Sequence, residues 1–252
     1  MTNAPPLAHR KALVTGASSG IGRAIARELS RQGCSLALLA RRRDRLDALS
    51  MELSDSSPAV ATVPVDLTQY EDTTIAISQA AEELGGLDIL INAAGVGLQA
   101  SLIDGEFEKW KTMMEVNVLA LSLVTREALR HFPDSGGHIV NLSSMSGHRV
   151  PGKGGFYAPT KFAVRAITEG LRQELRARGN QTRVSSISPG FVDTELLDAY
   201  FQTEGDDDSK YERIGYPILK PEEVAEMVLH QLTLPPTVEV TDILMRPTAQ
   251  AT

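Results

Sequence analysis

Lys11-Ala12-Leu13-Val14-Thr15-Gly16-Ala17-Ser18-Ser19-Gly20-Ile21-Gly22 is the stretch that decides the fold. A short apolar strand runs straight into a glycine-rich turn, and a helical pattern follows from Arg23 to Gln32. Such a turn makes an anion site, because the unpaired amides at the helix N-terminus point at the ligand. Gly16 permits the tight turn, Gly20 lets the backbone approach a pyrophosphate, and Gly22 lets helix and strand pack closely, with Ser18, Ser19 and Ile21 filling the loop between them. The spacing Gly-x-x-x-Gly-x-Gly differs from the general Gly-x-Gly-x-x-Gly fingerprint, so the turn alone is a weak signal. Its place after the first strand of a longer alternation strengthens it.

That alternation continues through the chain. Strands are expected at Ser35–Ala40, Val60–Val65, Asp88–Ile91, Gly137–Leu142, Arg183–Ile187 and Val238–Leu244. Helices are expected near Leu46–Leu53, Thr73–Leu84, Phe107–Phe132, Phe156–Ala177 and Pro221–Leu232, with an irregular stretch at 195–217. Strands that read as continuous apolar runs and alternate with helices indicate a parallel sheet covered on both faces. Right-handed crossovers then give a doubly wound Rossmann fold, an α/β architecture of seven mainly parallel strands, with a crevice at their carboxyl ends. No Pro/Gly/Ser-rich linker divides the chain, so residues 1–252 are expected to form a single dinucleotide-binding and catalytic domain.

The run Arg41-Arg42-Arg43-Asp44-Arg45 discriminates between cofactors. Basic residues at the start of a helix oppose its macrodipole, a local cost that an anionic ligand would turn into a gain. NAD needs an acidic residue at the end of the second strand for its ribose 2′-hydroxyl; Ala40 stands there, followed by Arg41 and Arg42. A 2′-phosphate, and hence NADP, is the reading that follows. The alternative is a solvated basic helix face. Asp66 and Leu67 follow the third strand, where a carboxylate could accept from an adenine amino group or simply cap the next helix. Asn92-Ala93-Ala94-Gly95 follows the fourth strand, and its small side chains suit a close approach of backbone to ligand.

A second constellation lies between Ser144 and Lys161. Tyr157 and Lys161 are four residues apart, so a helix beginning near Phe156 puts phenol and amine on one face. A free tyrosine titrates near ~10, too high for a base at neutral pH, and a fixed positive charge nearby would lower it. The bland alternative is a surface pair at a common helical spacing.

Composition narrows the classes. The chain of 252 residues is 42% hydrophobic with a formal charge of −7, which repels phosphate polymers and anionic lipid and argues against nucleic-acid or membrane partners. Met1–Ala8 lacks the apolar run of a signal peptide, and the single Cys34 cannot form an internal disulfide; a cytoplasmic location is expected. Asp206-Asp207-Asp208 has no further ligands at metal spacing, and no metal is expected.

Thr15-Gly16-x-x-x-Gly20-Ile21-Gly22, Asn92-Ala93-Ala94-Gly95, Asn117, Ser144, Tyr157-x-x-x-Lys161 and Pro189-Gly190 together resemble the ordered motif set of the short-chain dehydrogenases/reductases over essentially the whole chain. The usual second asparagine of Asn-Asn-Ala-Gly is Ala93 here. The stretches 114–121, 145–150 and 242–248 are similar, more narrowly, to the NADP-dependent branch that contains the farnesol dehydrogenases and dehydrogenase/reductase family member 11.

The resemblance implies a catalytic set of Asn117, Ser144, Tyr157 and Lys161. Tyr157 would exchange a proton with the substrate oxygen, Ser144 would orient it, and Lys161 would lower the phenol pKa and hold the nicotinamide ribose. Asn117 would fix a proton-relaying water, or serve only as a core amide bonded to neighbouring backbone. Pro189, Gly190, Val192 and Thr194 would flank the nicotinamide end. Ser144, Met145, Phe156, Phe191 and Leu196 are candidates for the pocket wall, with 195–217 as a lid whose Glu204 and Asp206–Asp208 disfavour anionic substrates.

A neutral, fairly apolar ketone, aldehyde or secondary alcohol is the expected substrate. His148, Arg149 and Lys153 leave room for a small polar hydroxy acid. A non-catalytic NADP-sensing regulator is the reading from a different class; it has no need to keep phenol, amine and hydroxyl together. The resemblance also implies a homodimer or homotetramer.

Overall fold

The protein is described from a computed structural model covering residues 5–152, 155–201 and 209–250. Seven strands form one sheet: β1 (Lys11–Thr15), β2 (Ser35–Ala40), β3 (Val60–Pro64), β4 (Ile89–Asn92), β5 (His138–Leu142), β6 (Arg183–Pro189) and β7 (Asp242–Met245). Their order is β3-β2-β1-β4-β5-β6-β7, and every pairing is parallel. The order reverses between β1 and β4, and a doubly wound sheet opens its ligand crevice at such a point.

Alternating side chains of single strands feed two separate cores, as the two-residue period of a strand requires. Ala12 and Val14 of β1 pack with α1 (Gly20–Arg31), α2 (Arg43–Leu53) and α9 (Pro221–Thr233) on one face. Leu13 faces the other way, toward α3 (Tyr70–Leu84), α5 (Leu121–Leu129) and α6 (Tyr157–Ala177). Leu13, Leu36, Leu38, Leu39, Leu90 and Ile91 are fully buried. This two-sided burial is why the strands carry almost no polar alternation. Cys34 lies in the first core at 0% exposure, with its thiol pushed up to about 12 by burial, and behaves as a small hydrophobe.

The long helix expected over Phe107–Phe132 is interrupted. It forms α4 (Phe107–Met114), a π-helical turn (Glu115–Ala120) and α5. Asn117 sits in the widened turn, a common position for residues aimed into a site. The stretch expected to be irregular contains two short helices, α7 (Glu195–Phe201) and α8 (Ser209–Ile214). Glu204, Asp206, Asp207, Asp208 and Lys153 lie outside the described residues. Among the described residues no helix is long and apolar enough to cross a membrane.

Candidate active site

The crevice at the carboxyl ends of the strands holds two adjoining cavities, which share Ile21, Ala93, Gly95, Thr194 and Leu196 as walls. The first is bounded by the glycine-rich turn, Arg41, Arg42, Asp66 and Leu67. Gly16 adopts φ +67°, and a Cβ there would lie 2.8 Å from the Ala94 amide nitrogen, so the turn after β1 and the loop after β4 close on each other only through glycine. Thr15 Oγ1 fixes the same junction by accepting from the amides of Ala93 and Ala94, each at 3.1 Å.

Arg42 crosses this cavity's rim. Its guanidinium donates to Ser18 Oγ at 3.0 Å, Ser19 Oγ at 2.8 Å and Glu195 Oε2 at 2.7 Å. Arg41 lines the cavity and is exposed. Asp66 Oδ1 accepts from the amide and hydroxyl of Thr68 at 3.0 and 2.8 Å, so the carboxylate both lines the cavity and organises the entry to α3. Asn92, expected against the cofactor, lines neither cavity. Its side chain alternates away from Ala93 into the sheet face, where Nδ2 donates to Thr125 Oγ1 at 2.9 Å and Asn141 Oδ1 at 2.8 Å.

The second cavity, of about 310 Å³, brings together Ser144, Tyr157 and Lys161 with Met145, Pro189, Gly190, Phe191, Val192 and Leu196. Tyr157 and Lys161 come from the first two turns of α6, and Ser144 from the loop after β5. Ser143 Oγ donates to Lys161 O at 3.2 Å and Arg165 Nη1 to Gly147 O at 2.9 Å, tying that loop to the helix. Ser144 Oγ accepts from the Ser146 amide at 3.1 Å, which leaves its own proton for Tyr157, to which it is hydrogen-bonded.

Lys161 is buried and donates to Leu142 O at 2.9 Å, with Nζ 5.8 Å from the centre of the Tyr157 ring. Burial pushes the phenol up to about 12, against the opposing Ser144 hydrogen bond. Burial also lowers the ammonium to about 8. The lowered phenol expected from the Tyr-Lys spacing is therefore corrected: desolvation outweighs a charge directed at a carbonyl rather than at the phenol oxygen.

Asn117 is 1% exposed and its carboxamide is spent on protein. Oδ1 accepts from the Val96 amide at 2.8 Å; Nδ2 donates to Val96 O at 2.9 Å and Thr160 Oγ1 at 3.1 Å. It thus pins the loop after β4 to α6, the role of a core amide. Phe156, expected in the pocket wall, is not part of it. One residue before Tyr157, it projects to another side and stacks on Trp110 with ring centres 5.5 Å apart. Arg149, Gln99 and Gln250 join the substrate side, and Thr112, Glu115 and Val116 the cofactor side. The last three share one face of the helical segment at i, i+3 and i+4; Gln250 has no local sequence signal.

Comparison with known proteins bears on the family and the fold. A family model described as short chain dehydrogenase matches residues 10–205. The bovine protein Dehydrogenase/reductase SDR family member 11 is 43% identical over 254 residues, covering 96% of this chain and 98% of its own. Among solved structures, a closed serine dehydrogenase complexed with NADP+ superposes with TM-score 0.88 at 32% identity, covering 96% of each chain. An alcohol dehydrogenase from Thermococcus sibiricus complexed with 5-hydroxy-NADP superposes with TM-score 0.84 at 31% identity, covering 96% of this chain and 98% of its own. With its seven-stranded doubly wound sheet and its match over nearly the full length, this chain belongs to the short-chain dehydrogenase/reductase family.

Proposed function

We propose that this chain is an NADP(H)-dependent oxidoreductase that moves hydride between the nicotinamide and a neutral, fairly apolar ketone, aldehyde or secondary alcohol. The observation that carries the reading is the convergence of the Tyr157 phenol, the Ser144 hydroxyl and Lys161 in a largely apolar cavity that opens into the arginine-rimmed groove. The groove fits a dinucleotide phosphate on its donor chemistry. Arg41 and Arg42 stand at one end for a 2′-phosphate, and the turn from Gly16 to Gly22 brings backbone amides to the middle. Asp66, Leu67, Gly95 and Thr194 line its sides, while Pro189, Gly190 and Val192 flank the nicotinamide end.

NADP(H) bound there would supply or accept the hydride. Tyr157, held protonated by burial, would give its proton to the carbonyl oxygen, and Ser144 would orient the same oxygen by donating to it. Lys161 would hold the ribose hydroxyls and supply the positive charge that eases loss of the phenolic proton. Asn117 would act through position, by holding the Val96 loop against α6.

Phe191, Leu196, Leu197 and Tyr200 favour an apolar substrate body. Arg149 at the same wall favours a second reading, a small hydroxy acid whose carboxylate pairs with the guanidinium. Exposed Phe107, Leu119 and Phe162 on α4, the π turn and α6 support a homodimer or homotetramer, and the lone buried Cys34 suits a cytoplasmic enzyme.

The test is NADPH oxidation with a panel of ketones, aldehydes and 2-oxo acids. The neutral apolar carbonyls should turn over fastest, and Tyr157→Phe should lower the rate by about 10²- to 10⁴-fold while NADPH affinity stays within about twofold. Turnover that survives Tyr157→Phe would sink the assignment.

A further inference from the structure

Glu195 is the first residue of α7, and its carboxylate joins two arginines that come from far away in the chain. Oε2 accepts from Arg42 Nη1 at 2.7 Å, and Oε1 is bonded to Arg45 Nη1. Arg42 stands on the first cavity's rim at the entry to α2, Arg45 lies in the first turn of that helix outside the cavity's lining, and Glu195 itself forms part of the cavity's wall. The same Arg42 guanidinium holds the hydroxyls of Ser18 and Ser19 in the glycine-rich turn. Burial raises the carboxyl pKa of Glu195, and the hydrogen bonds from Arg42 and Arg45 outweigh it, so the group stays ionised.

A carboxylate bonded to the arginine proposed for the 2′-phosphate occupies donors that the phosphate would use, and it places a like charge beside them. We infer that Glu195 is an internal competitor for the cofactor's 2′-phosphate: it holds Arg42 in the rim and sets how strongly NADP(H) is preferred over NAD(H). Arg45 gives the carboxylate a second partner, so Arg42 can turn to the phosphate without leaving Glu195 unpaired. Because Leu196, Leu197 and Tyr200 follow on the same short helix and line the substrate cavity, the residue that tunes cofactor choice also heads the wall of the pocket.

The inference rests on the reading that Arg42 belongs to the 2′-phosphate site, and the experiment separates the two. Dissociation constants of 2′,5′-ADP and 5′-AMP, which differ only in the 2′-phosphate, are measured by calorimetry on the full chain and on Glu195→Gln, Glu195→Ala and Arg42→Ala. Both Glu195 variants should bind 2′,5′-ADP about three- to fivefold more tightly, the upper scale of exposed ion pairs, with 5′-AMP changed less than about twofold. The gain should shrink as salt is raised, because the groups are partly exposed. Arg42→Ala should lower the ratio of the two affinities, and adding Glu195→Gln to it should return less than Glu195→Gln gains in the parent. A ratio unmoved by either Glu195 variant, with Arg42→Ala still lowering it, overturns the competitor role alone. A ratio unmoved by Arg42→Ala takes Arg42 out of the phosphate site and overturns the competitor with it.

Discussion

Lys161 Nζ lies 5.8 Å from the centre of the Tyr157 ring and donates to Leu142 O at 2.9 Å, so the ammonium is anchored to the end of β5 beside the phenol rather than on its oxygen. Burial pushes the two groups apart in a useful sense. The phenol goes up to about 12 and is a proton donor throughout the neutral range, while the ammonium falls to about 8 and is the group that changes charge near working pH. Carbonyl reduction needs the donor protonated and the charge present. The rate kcat/KM for reduction should therefore be level from about pH 6 to about 7.5 and fall above about 8 as Lys161 loses its proton. Lys161→Arg, slower overall, should lose that break because a guanidinium does not deprotonate. An unbroken wild-type profile to about pH 10 would count against the charge of Lys161 mattering.

The same burial sets a stability effect of definite sign. A lysine whose folded value is lowered binds fewer protons in the native than in the unfolded state between about pH 8 and 10, so stability rises with pH across that window. Below about 8 the buried charge costs on the order of 3 kcal/mol. Its hydrogen bond to Leu142 O returns roughly 1 kcal/mol. Lys161→Met, similar in length and uncharged, should thus be at least as stable as the parent at pH 7, with a flatter rise of Tm between pH 7 and 9, while activity is lost. Thermal unfolding at both pH values measures it. A variant that is less stable and keeps the parent's slope would mean the cost of burial has been misread.

Much of this arrangement was legible from local pattern. Strand and helix alternation is written in the two- and 3.6-residue periods, and the glycine turn and Tyr157-x-x-x-Lys161 are each contiguous, so both survive without knowledge of what packs on them. The sign of the phenol shift was not legible, because burial depends on walls drawn from segments far apart in the chain. Nor was the π turn at Glu115–Ala120, whose extra residue leaves no compositional mark. Phe156 was misplaced because its partner, Trp110, lies on another helix. Glu195 was invisible as a partner of Arg42 for the same reason, being separated from it by 153 positions.

Cofactor choice should yield to two substitutions at the end of β2. Ala40 is buried at the strand's last position and pairs in register with Pro64, so an aspartate there would face the groove where a ribose 2′-hydroxyl lies in NAD enzymes. Arg41, next in the chain, supplies one of the proposed phosphate donors. Ala40→Asp with Arg41→Ala should shift the ratio of kcat/KM for NADPH over NADH by about ten- to a hundredfold toward NADH, the worth of one charge-assisted hydrogen bond. Steady-state kinetics with both cofactors gives the ratio, and an unchanged value would refute the placement of the phosphate at this end.

Gly22 carries the steric prediction nearest the phosphate turn. It sits in the first turn of α1, and a Cβ there would lie 2.5 Å from Gly16 O and 2.8 Å from Gly16 C. Both are backbone atoms of the turn, so nothing flexible can give way, and α1 would have to lift from β1. Gly20 differs: a Cβ there meets only the Thr194 side chain, at 3.0 Å, and the penalty comes instead from φ +51°. Gly22→Ala should cost about 1–3 kcal/mol in denaturant unfolding, the range for overpacking. NADPH binding should weaken with it, because the displaced turn is the one that presents amides to the pyrophosphate. If Gly22→Ala kept both parental stability and parental affinity, the close contact between α1 and the turn would not be what holds the phosphate loop in shape.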